Sequence, residues 1–430
     1  MNSTTSTSAT STPTLNRRRQ LVTGTVGHLV EYFDWSAYSF LAIYFAHQFF
    51  PGEDGSMVPL LSTFAVFAVG FLARPVGGVV LGRIADKHGR KTALTLSVAL
   101  MGAGSLLIGV APTYGQVGML APIVLVLARL IQGFSTGGEL ATASAFLMES
   151  APSHRRGLYT SFTYVSSSVG KVFCLALITA LVHVVGNDTT GDWAWRVPFL
   201  IGAAGAVVAW WIRRHAEETY ERSEEPTVPT TPFRELAKNH GPSLRRAFVL
   251  CSITAAMFYT WTTFIPTWAV VTAGVDKESA VLVSTVAFCF YGVIQIPLGA
   301  LSDKIGRRPM IFVFTIGNAA LTVPLFITIS SSAVRLLLIQ CAGMLITSCL
   351  MSVSGAVIGE MFPARVRVLA TGTAISVATA VFGGTVPTIG TALHSIGQPI
   401  LFPIYLVVLN LLALLVLART PETAHSALPR

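Results

Sequence analysis

Six ionisable side chains stand inside long apolar runs of this sequence, and their spacing points to two kinds of chemistry, proton loading and anion binding. Glu31 and Asp34 are three residues apart, so on a helix they share one face with His28 and Tyr38. A carboxylate in a partly dry cavity holds a proton more readily, and a second carboxylate beside it strengthens that tendency. The pair is a candidate proton site; the other reading is a fixed ion pair with Arg74 or Arg129. Arg74 precedes Pro75 and the Gly77–Gly78 pair. A guanidinium there can grip a carboxylate through two parallel hydrogen bonds, or serve as the standing partner of Glu31 or Asp34. Arg129, Gln132, Thr136 and Glu139 fall on one stripe, with Glu139 either a further proton site or the partner of Arg129. Lys171 ends a polar stripe that begins at Tyr164 and continues through Ser167 and Ser168, at i, i+3, i+4 and i+7. An ammonium in that place attracts an anionic substrate, snorkels to the membrane surface, or pairs with Glu139. Tyr259, followed by Trp261, Thr262 and Thr263, offers either a polar cavity wall or ordinary aromatic packing.

These residues need apolar elements to hold them. Of 430 residues, 52% are hydrophobic and 11% charged, against about 25% charged in an ordinary soluble domain. With a mean hydropathy of +0.65, that balance excludes a disordered chain, a coiled coil and a typical soluble enzyme. Apolar runs fall near 21–46, 58–82, 92–111, 121–148, 158–185 and 195–213, and again near 246–271, 279–301, 310–329, 335–361, 367–392 and 400–418. Each is long enough to cross ~30 Å of hydrocarbon as a helix, and none alternates as a barrel strand does. The expectation is an all-α membrane protein of twelve transmembrane helices. A charge at mid-bilayer costs at least ~2.5 kcal/mol on insertion scales, so ionisable residues inside the spans are functional candidates.

Lysine and arginine set the orientation. With the N-terminus in the cytoplasm, 23 of the 29 basic residues fall on the cytoplasmic side, and only Lys277 and Arg335 fall outside. This places both termini in the cytoplasm. It also accounts for the net charge of +9 through loops beside the membrane, with no basic patch for nucleic acid. Residues 1–20 read as a disordered cytoplasmic tail, 21–213 as one six-helix bundle, 214–245 as a charged cytoplasmic linker, 246–419 as a second six-helix bundle, and 420–430 as a tail. The five cysteines show neither paired spacing nor a Cys/His pattern, so no disulfide framework and no metal site are expected.

The two bundles echo each other. Gly82-Arg-Ile-Ala-Asp-Lys-His-Gly-Arg-Lys91 joins spans 2 and 3, and Gly299-Ala-Leu-Ser-Asp-Lys-Ile-Gly-Arg-Arg308 joins spans 8 and 9. Asp86 matches Asp303, and Arg90 matches Arg307. Glu149-Ser-Ala-Pro152 with Arg156 matches Glu360-Met-Phe-Pro363 with Arg367. Two echoes at equivalent places, six spans apart, indicate a duplicated six-helix unit.

Both loops resemble the signature loop of the major facilitator superfamily. Glu31-Tyr-Phe-Asp34, Arg74-Pro-Val-Gly-Gly78, Arg129-Leu-Ile-Gln-Gly133 with Gly137-Gly-Glu139, and Trp193-Ala-Trp-Arg-Val-Pro198 resemble its metabolite:proton symporter family. The resemblance covers residues 20 to 419. It implies the major facilitator fold and proton-coupled uptake into the cell, across the cell membrane, by alternating access. The implied cargo is a small organic anion, a di- or tricarboxylate such as 2-oxoglutarate. The alternatives within the family are a zwitterionic osmolyte (proline or betaine), shikimate or another metabolite. The carboxylate carriers that this chain most resembles have a neutral residue in place of Lys171 and a basic one in place of Thr267, as though one positive charge had changed halves.

The assignments that follow are Glu31, Asp34 and Glu139 for proton coupling, and Lys171, Arg74, Arg129, Tyr38, Tyr164, Ser167 and Tyr259 for substrate. Asp86, Arg90, Asp303 and Arg307 are assigned to conformational gating. The expected partners are the substrate anion, protons and the lipid bilayer, with the carrier a monomer. No phosphate-binding loop and no zinc-protease helix occurs, so neither an enzyme nor a bound cofactor is expected.

Overall fold

The computed structural model describes residues 14–53, 55–137, 147, 148, 151–215, 236, 238–424 and 426. All regular structure among them is helical. We number the rods α1 (Thr14–Phe49), α2 (Val58–Leu72 continued by Arg74–His88), α3 (Arg90–Gly109), α4 (Leu120–Ser135), α5 (Arg156–Thr189) and α6 (Arg196–His215). The second set is α7 (Gly241–Tyr259 and Ile265–Ala273), α8 (Lys277–Ile305), α9 (Arg307–Ile327), α10 (Ala333–Met351 and Ser354–Glu360), α11 (Ala364–Ala378 and Thr385–Ser395) and α12 (Leu401–Leu417). Eight rods are long and apolar enough to cross a membrane, and α4, α6 and α12 supply shorter apolar helices. α1 starts at Thr14, ahead of the expected boundary at residue 21, because Asn16 to Leu21 include no helix breaker and several good helix formers. Most of the expected linker, residues 216–235 and 237, lies outside the described residues, as does Glu139.

Single π-helical turns lie at Thr190–Ala194, between α5 and α6, at Thr260–Phe264 within α7, and at Thr379–Gly383 within α11. A proline follows each within a few residues: Pro198, Pro266 and Pro387. Proline has no N–H and pushes against the carbonyl a turn earlier, so the helix before it widens locally. The turns in α7 and α11 face the centre of the molecule, where Thr263 and Thr379 reach a shared cavity.

Within the first set, α2 and α4 cross with almost no side chain between them. A Cβ built on Gly133 would stand 1.7 Å from the Gly70 carbonyl oxygen, and one on Gly77 would stand 1.9 Å from that of Phe134. The expected Gly133–Gly137 spacing is thus a backbone contact of the small-residue kind. Its consequence is positional: Arg74 on α2 and Arg129 on α4 are brought to the same aromatic ring. The two sets meet along α5 with α8 and α2 with α11, and α1 also touches α7. α7 is strongly enclosed, with 83% of its apolar window buried, against 33% for α5. α7 therefore walls the centre, while α5 turns one side outward. Large apolar side chains such as Val184, Val293, Leu338 and Leu415 stand exposed on the outside, a surface that lipid must cover.

Gly133→Val forces α2 and α4 apart, since the carbonyl it meets is backbone and cannot turn away. Overpacking of this kind costs about 1–3 kcal/mol or more. The expected result is a lower melting temperature in detergent and a loss of folded protein. Gly205→Ala, where a Cβ meets only Val30 at 3.9 Å, is expected to melt with the wild type.

Candidate functional site

A cavity lies between the two sets of helices, with a volume of about 40 Å³, room for a few water molecules. Glu31 and Trp35 reach it from α1, Arg74 from α2, Lys171 from α5 and Tyr259 from α7. Of the residues expected to meet substrate or proton, Glu31, Arg74, Lys171 and Tyr259 are therefore brought together on one wall or another.

Lys171 is 4% exposed. Its Nζ lies 4.2 Å from the centre of the Phe258 ring, 4.8 Å from Phe288 and 5.7 Å from Tyr32. Among the described residues its one polar contact is a long hydrogen bond, 3.4 Å, to the Thr262 hydroxyl. Among the described residues it forms no ion pair. Aromatic faces soften the burial of an ammonium but do not neutralise it. Arg74 is held by rings as well, 4.2 Å from Trp35 and 4.3 Å from Phe71, and Tyr259 packs on the same Phe71 at 5.1 Å.

Asp34 does not share the cavity with Glu31, although the two share a helix face in the sequence. It is fully buried behind the wall, where Ser105 on α3 and Gln132 on α4 donate hydrogen bonds to its two oxygens. Arg129 is fully buried too. Its guanidinium lies 4.0 Å from Trp35, 4.3 Å from Tyr38 and 5.2 Å from Phe67, and donates to the Gln132 carbonyl at 2.8 Å. Tyr38 was expected to meet substrate. Instead it is a support for Arg129, fully buried, its hydroxyl donating to the Thr63 carbonyl at 2.9 Å. Tyr164 and Ser167 also stand off the cavity wall. The Tyr164 hydroxyl bonds Ser354 on α10 at 3.1 Å, across the two halves, and Ser167 donates back to the Tyr164 carbonyl at 2.9 Å. The α5 stripe therefore places only its last member, Lys171, at the centre.

The halves are joined at both ends. At the end carrying the repeated loops, Asp303 accepts the backbone N–H groups of Gly157 and Leu158, both at 2.8 Å, at the start of α5. A carboxylate suits that position, since a helix N-terminus presents free N–H groups and positive potential. Any side chain at 157 would collide, because a Cβ there comes within 2.7 Å of Gly299 and Arg307 and 2.9 Å of Asp303. Arg307 donates to Asp303 at 2.9 Å and to Glu360 at 3.3 Å, and Arg156 reaches Glu360 from the other half at 3.7 Å. The side chains of Asp86 and Arg90 lie outside the described residues. At the opposite end, Lys277 donates to the Ile43 carbonyl at 3.3 Å and Thr388 to the Phe64 carbonyl at 2.9 Å.

Three groups in this arrangement were not anticipated from sequence: Trp35, which carries a guanidinium from each of two helices, Ser105, and the chain after α12. Glu422 there accepts the backbone N–H of Arg307 at 2.8 Å and of Arg308 at 2.9 Å, while Thr423 donates to Glu360 at 2.6 Å. Partial burial pulls the Glu422 carboxyl up, but hydrogen bonds from Arg307, Arg308, Ala424 and Thr423 outweigh it and hold the group below the usual carboxylate range. The echo between Glu149 and Glu360 was a signal for the inner cluster. Nothing in the composition of the tail marked Glu422.

The sequence model of the Major Facilitator Superfamily matches residues 24–287 and, in a second pass, 272–430. The chain is 41% identical to an alpha-ketoglutarate permease of Escherichia coli K12 over 414 residues, 95% of this chain and 94% of that one. It is 31% identical to a proline/betaine transporter of Salmonella typhimurium, covering 96% and 85%, and 34% identical to a citrate-proton symporter of Salmonella typhi, covering 86% of each. The crystal structure of a D-xylose-proton symporter superposes with a TM-score of 0.74 at 17% identity, over 96% of this chain and all of that one.

Because the carboxyl of Glu422 is held low, its contacts add stability at pH values above the ordinary carboxylate range, and that stability is lost as the pH falls through the depressed value. Glu422→Gln is expected to melt below the wild type at about pH 7, with the gap closing as the pH falls through the depressed value, below which the wild-type carboxyl also carries a proton. A gap independent of pH would show that the carboxylate charge contributes nothing at this joint.

Proposed function

The chain belongs to the major facilitator superfamily, and from that premise we propose that it carries a small dicarboxylate of the 2-oxoglutarate class into the cell together with protons. The observation that carries this reading is Lys171, a buried ammonium on the cavity wall with no acid paired to it among the described residues. An unpaired charge in a dry site is strongly destabilising, and an anionic ligand is the group that relieves it. With Arg74 on the same cavity, two cations face one carboxylate, Glu31. When Glu31 takes a proton the wall carries two positive charges, and a dianion balances both. A zwitterion leaves one of them unbalanced.

The transport cycle follows from that balance. Substrate and protons enter from the outside, and only a neutralised cavity closes without carrying unbalanced charge through a dry constriction. The two halves then rock about the central site and open to the cytoplasm. The cluster of Asp303, Arg307, Glu360 and Arg156 latches one state, and Asp86 with Arg90 is its counterpart in the other repeat. Moving one net charge through 100 mV is worth about 2.3 kcal/mol, so a dianion with one proton works against an inside-negative membrane. Two protons, one on Glu31 and one on Asp34, make the step electroneutral; Glu139 is the further candidate. Both termini and the repeated loops face the cytoplasm in this reading, and the membrane is the cell membrane.

The test is uptake of labelled 2-oxoglutarate into proteoliposomes with an alkaline interior. Gradient-driven uptake displaced by dicarboxylates, and not by proline, betaine or shikimate, is the expected result. Displacement by proline or betaine alone would overturn the anion reading while leaving the fold intact. Lys171→Ala is expected to weaken anion affinity tenfold or more, of the order of one charge-assisted hydrogen bond. Unchanged affinity would return Lys171 to a packing role. Glu31→Gln and Asp34→Asn are each expected to abolish gradient-driven uptake while counterflow exchange survives. Equal loss of both modes would remove these carboxylates from proton coupling.

A further inference from the structure

Asp34 and Arg129 are both fully buried and neighbouring, yet they form no direct ion pair. Gln132 stands between them. Its Nε2 donates to Asp34 Oδ2 and, at 3.2 Å, to the Ser105 hydroxyl, while its Oε1 accepts from Arg129 at 2.8 Å. Both N–H groups and the carbonyl are therefore engaged at once. Turning the amide over would set its carbonyl against a carboxylate and its N–H groups against a guanidinium, so one orientation is fixed. Room for the side chain is made on α3. A Cβ built on Gly104, next to Ser105, would come within 2.5 Å of Gln132 Cγ.

The arrangement has a chemical purpose that a direct pair would lack. A buried guanidinium bonded to a carboxylate through two hydrogen bonds holds it in the charged form, and a proton can load only by breaking the pair. An interposed amide is neutral. It gives the carboxylate one hydrogen bond and keeps the guanidinium at a remove, stacked on Trp35. The other face of that relation reaches the cavity, because Arg74 also lies 4.2 Å from Trp35. The remaining neighbours of Asp34 do not take over the role of Gln132. Glu31 lies one turn earlier on α1, Ser105 bonds it from α3, Cys174 is the titratable group from α5, and α6 presents Gly202, which has no side chain.

We propose that Gln132 is a positioning residue for proton coupling: it holds Arg129 off Asp34 and so keeps that carboxylate able to load a proton. The proposal rests on the reading of Asp34 as a proton site. It predicts opposite effects from two substitutions at one position. Gln132→Leu removes every polar group of the spacer, and Arg129 then pairs with Asp34. Gln132→Glu places a second carboxylate beside Asp34 and draws Arg129 to itself.

The experiment measures gradient-driven uptake of labelled 2-oxoglutarate as a function of external pH in proteoliposomes, with counterflow at one pH reporting how much folded carrier each preparation holds. A partner charge within about 4–6 Å moves an aspartate by about 1–3 pH units. Gln132→Leu is expected to move the midpoint of the pH profile to lower pH by about one unit or more, and Gln132→Glu to move it upward. Midpoints that stay at the wild-type value, or that move the same way in both variants, overturn the proposal. Asp34→Asn separates the two levels. If it leaves gradient-driven uptake and its pH profile intact, Asp34 is not a proton site and the reading beneath the proposal fails. If it abolishes that uptake while the Gln132 variants keep the wild-type midpoint, the spacer role alone fails.

Discussion

A charge with no partner is costly inside a helix bundle, and each functional feature of this molecule is an arrangement for holding one there. Lys171 and Arg74 are surrounded by ring faces, and Arg129 stacks on Trp35, which it shares with Arg74, and on Tyr38 and Phe67. Rings attract cations through their quadrupoles without cancelling the charge. Cations held this way stay available to a ligand, whereas cations held by carboxylates are already neutral. The end of the molecule carrying the repeated loops shows the contrast. There Arg307 is paired with Asp303 and Glu360, and the result is a joint with no site. Ring-held Lys171 and Arg74 thus line the cavity, while the acid-paired Arg307 joins the two halves at one end.

Backbone contact makes this division possible. Where α2 and α4 cross, the glycines at 70, 77 and 133 let the main chains touch, so Arg74 and Arg129 arrive at the same Trp35. At the latch, Gly157 lets the start of α5 come close enough for Asp303 to accept two of its backbone N–H groups. In a bilayer, apolar side chains gain little by packing on each other instead of on lipid, so close backbone approach and interhelical hydrogen bonds set the geometry. In the proposed cycle this joint is the part that must release. It consists of a few hydrogen bonds across an interface, and the cavity walls on either side belong to rods that are complete within their own halves.

The fold was legible in the sequence because a membrane span is a long-range signal. Twenty apolar residues in a row, a bend with basic residues and a second copy of the same loop are each readable without knowing any contact. The family then followed from residues that stand in fixed loops. The site was legible in a different degree. The cost of burying charge singles out Glu31, Asp34, Arg74, Arg129 and Lys171, but cost alone does not say which side of a helix meets a cavity. Helical spacing put Glu31 and Asp34 on one face; three residues span about 300° of turn, and the remaining angle was enough to send Glu31 to the cavity and Asp34 behind the wall. Tyr38 and Ser167 stand off the cavity wall for a related reason. A polar atom in a span can be satisfied by a nearby main-chain carbonyl, and both of these are. Trp35 and Glu422 left no mark, since an aromatic in an apolar run and an acid in a tail are both unremarkable until the fold brings charged groups to them.

The separation of Asp34 from the cavity bears on how protons and substrate are kept in step. A carboxylate that meets the substrate directly is a competitor for the cations that bind it, and its protonation changes affinity through simple charge balance; Glu31 is placed to act in this way. A carboxylate behind the wall has no such contact; besides its direct field, its charge is relayed to the site by the groups between. Here those are Gln132, Arg129 and the Trp35 ring that Arg129 shares with Arg74. The two carboxylates on one helix therefore serve different halves of one requirement. In the proposed cycle Glu31 balances the charge of the cargo where it binds, and Asp34 sets the field of a cation one layer deeper. A carrier that needs two protons for one dianion gains from that division, because two carboxylates in the same small cavity would resist being ionised together, and the second would load its proton independently of the cargo.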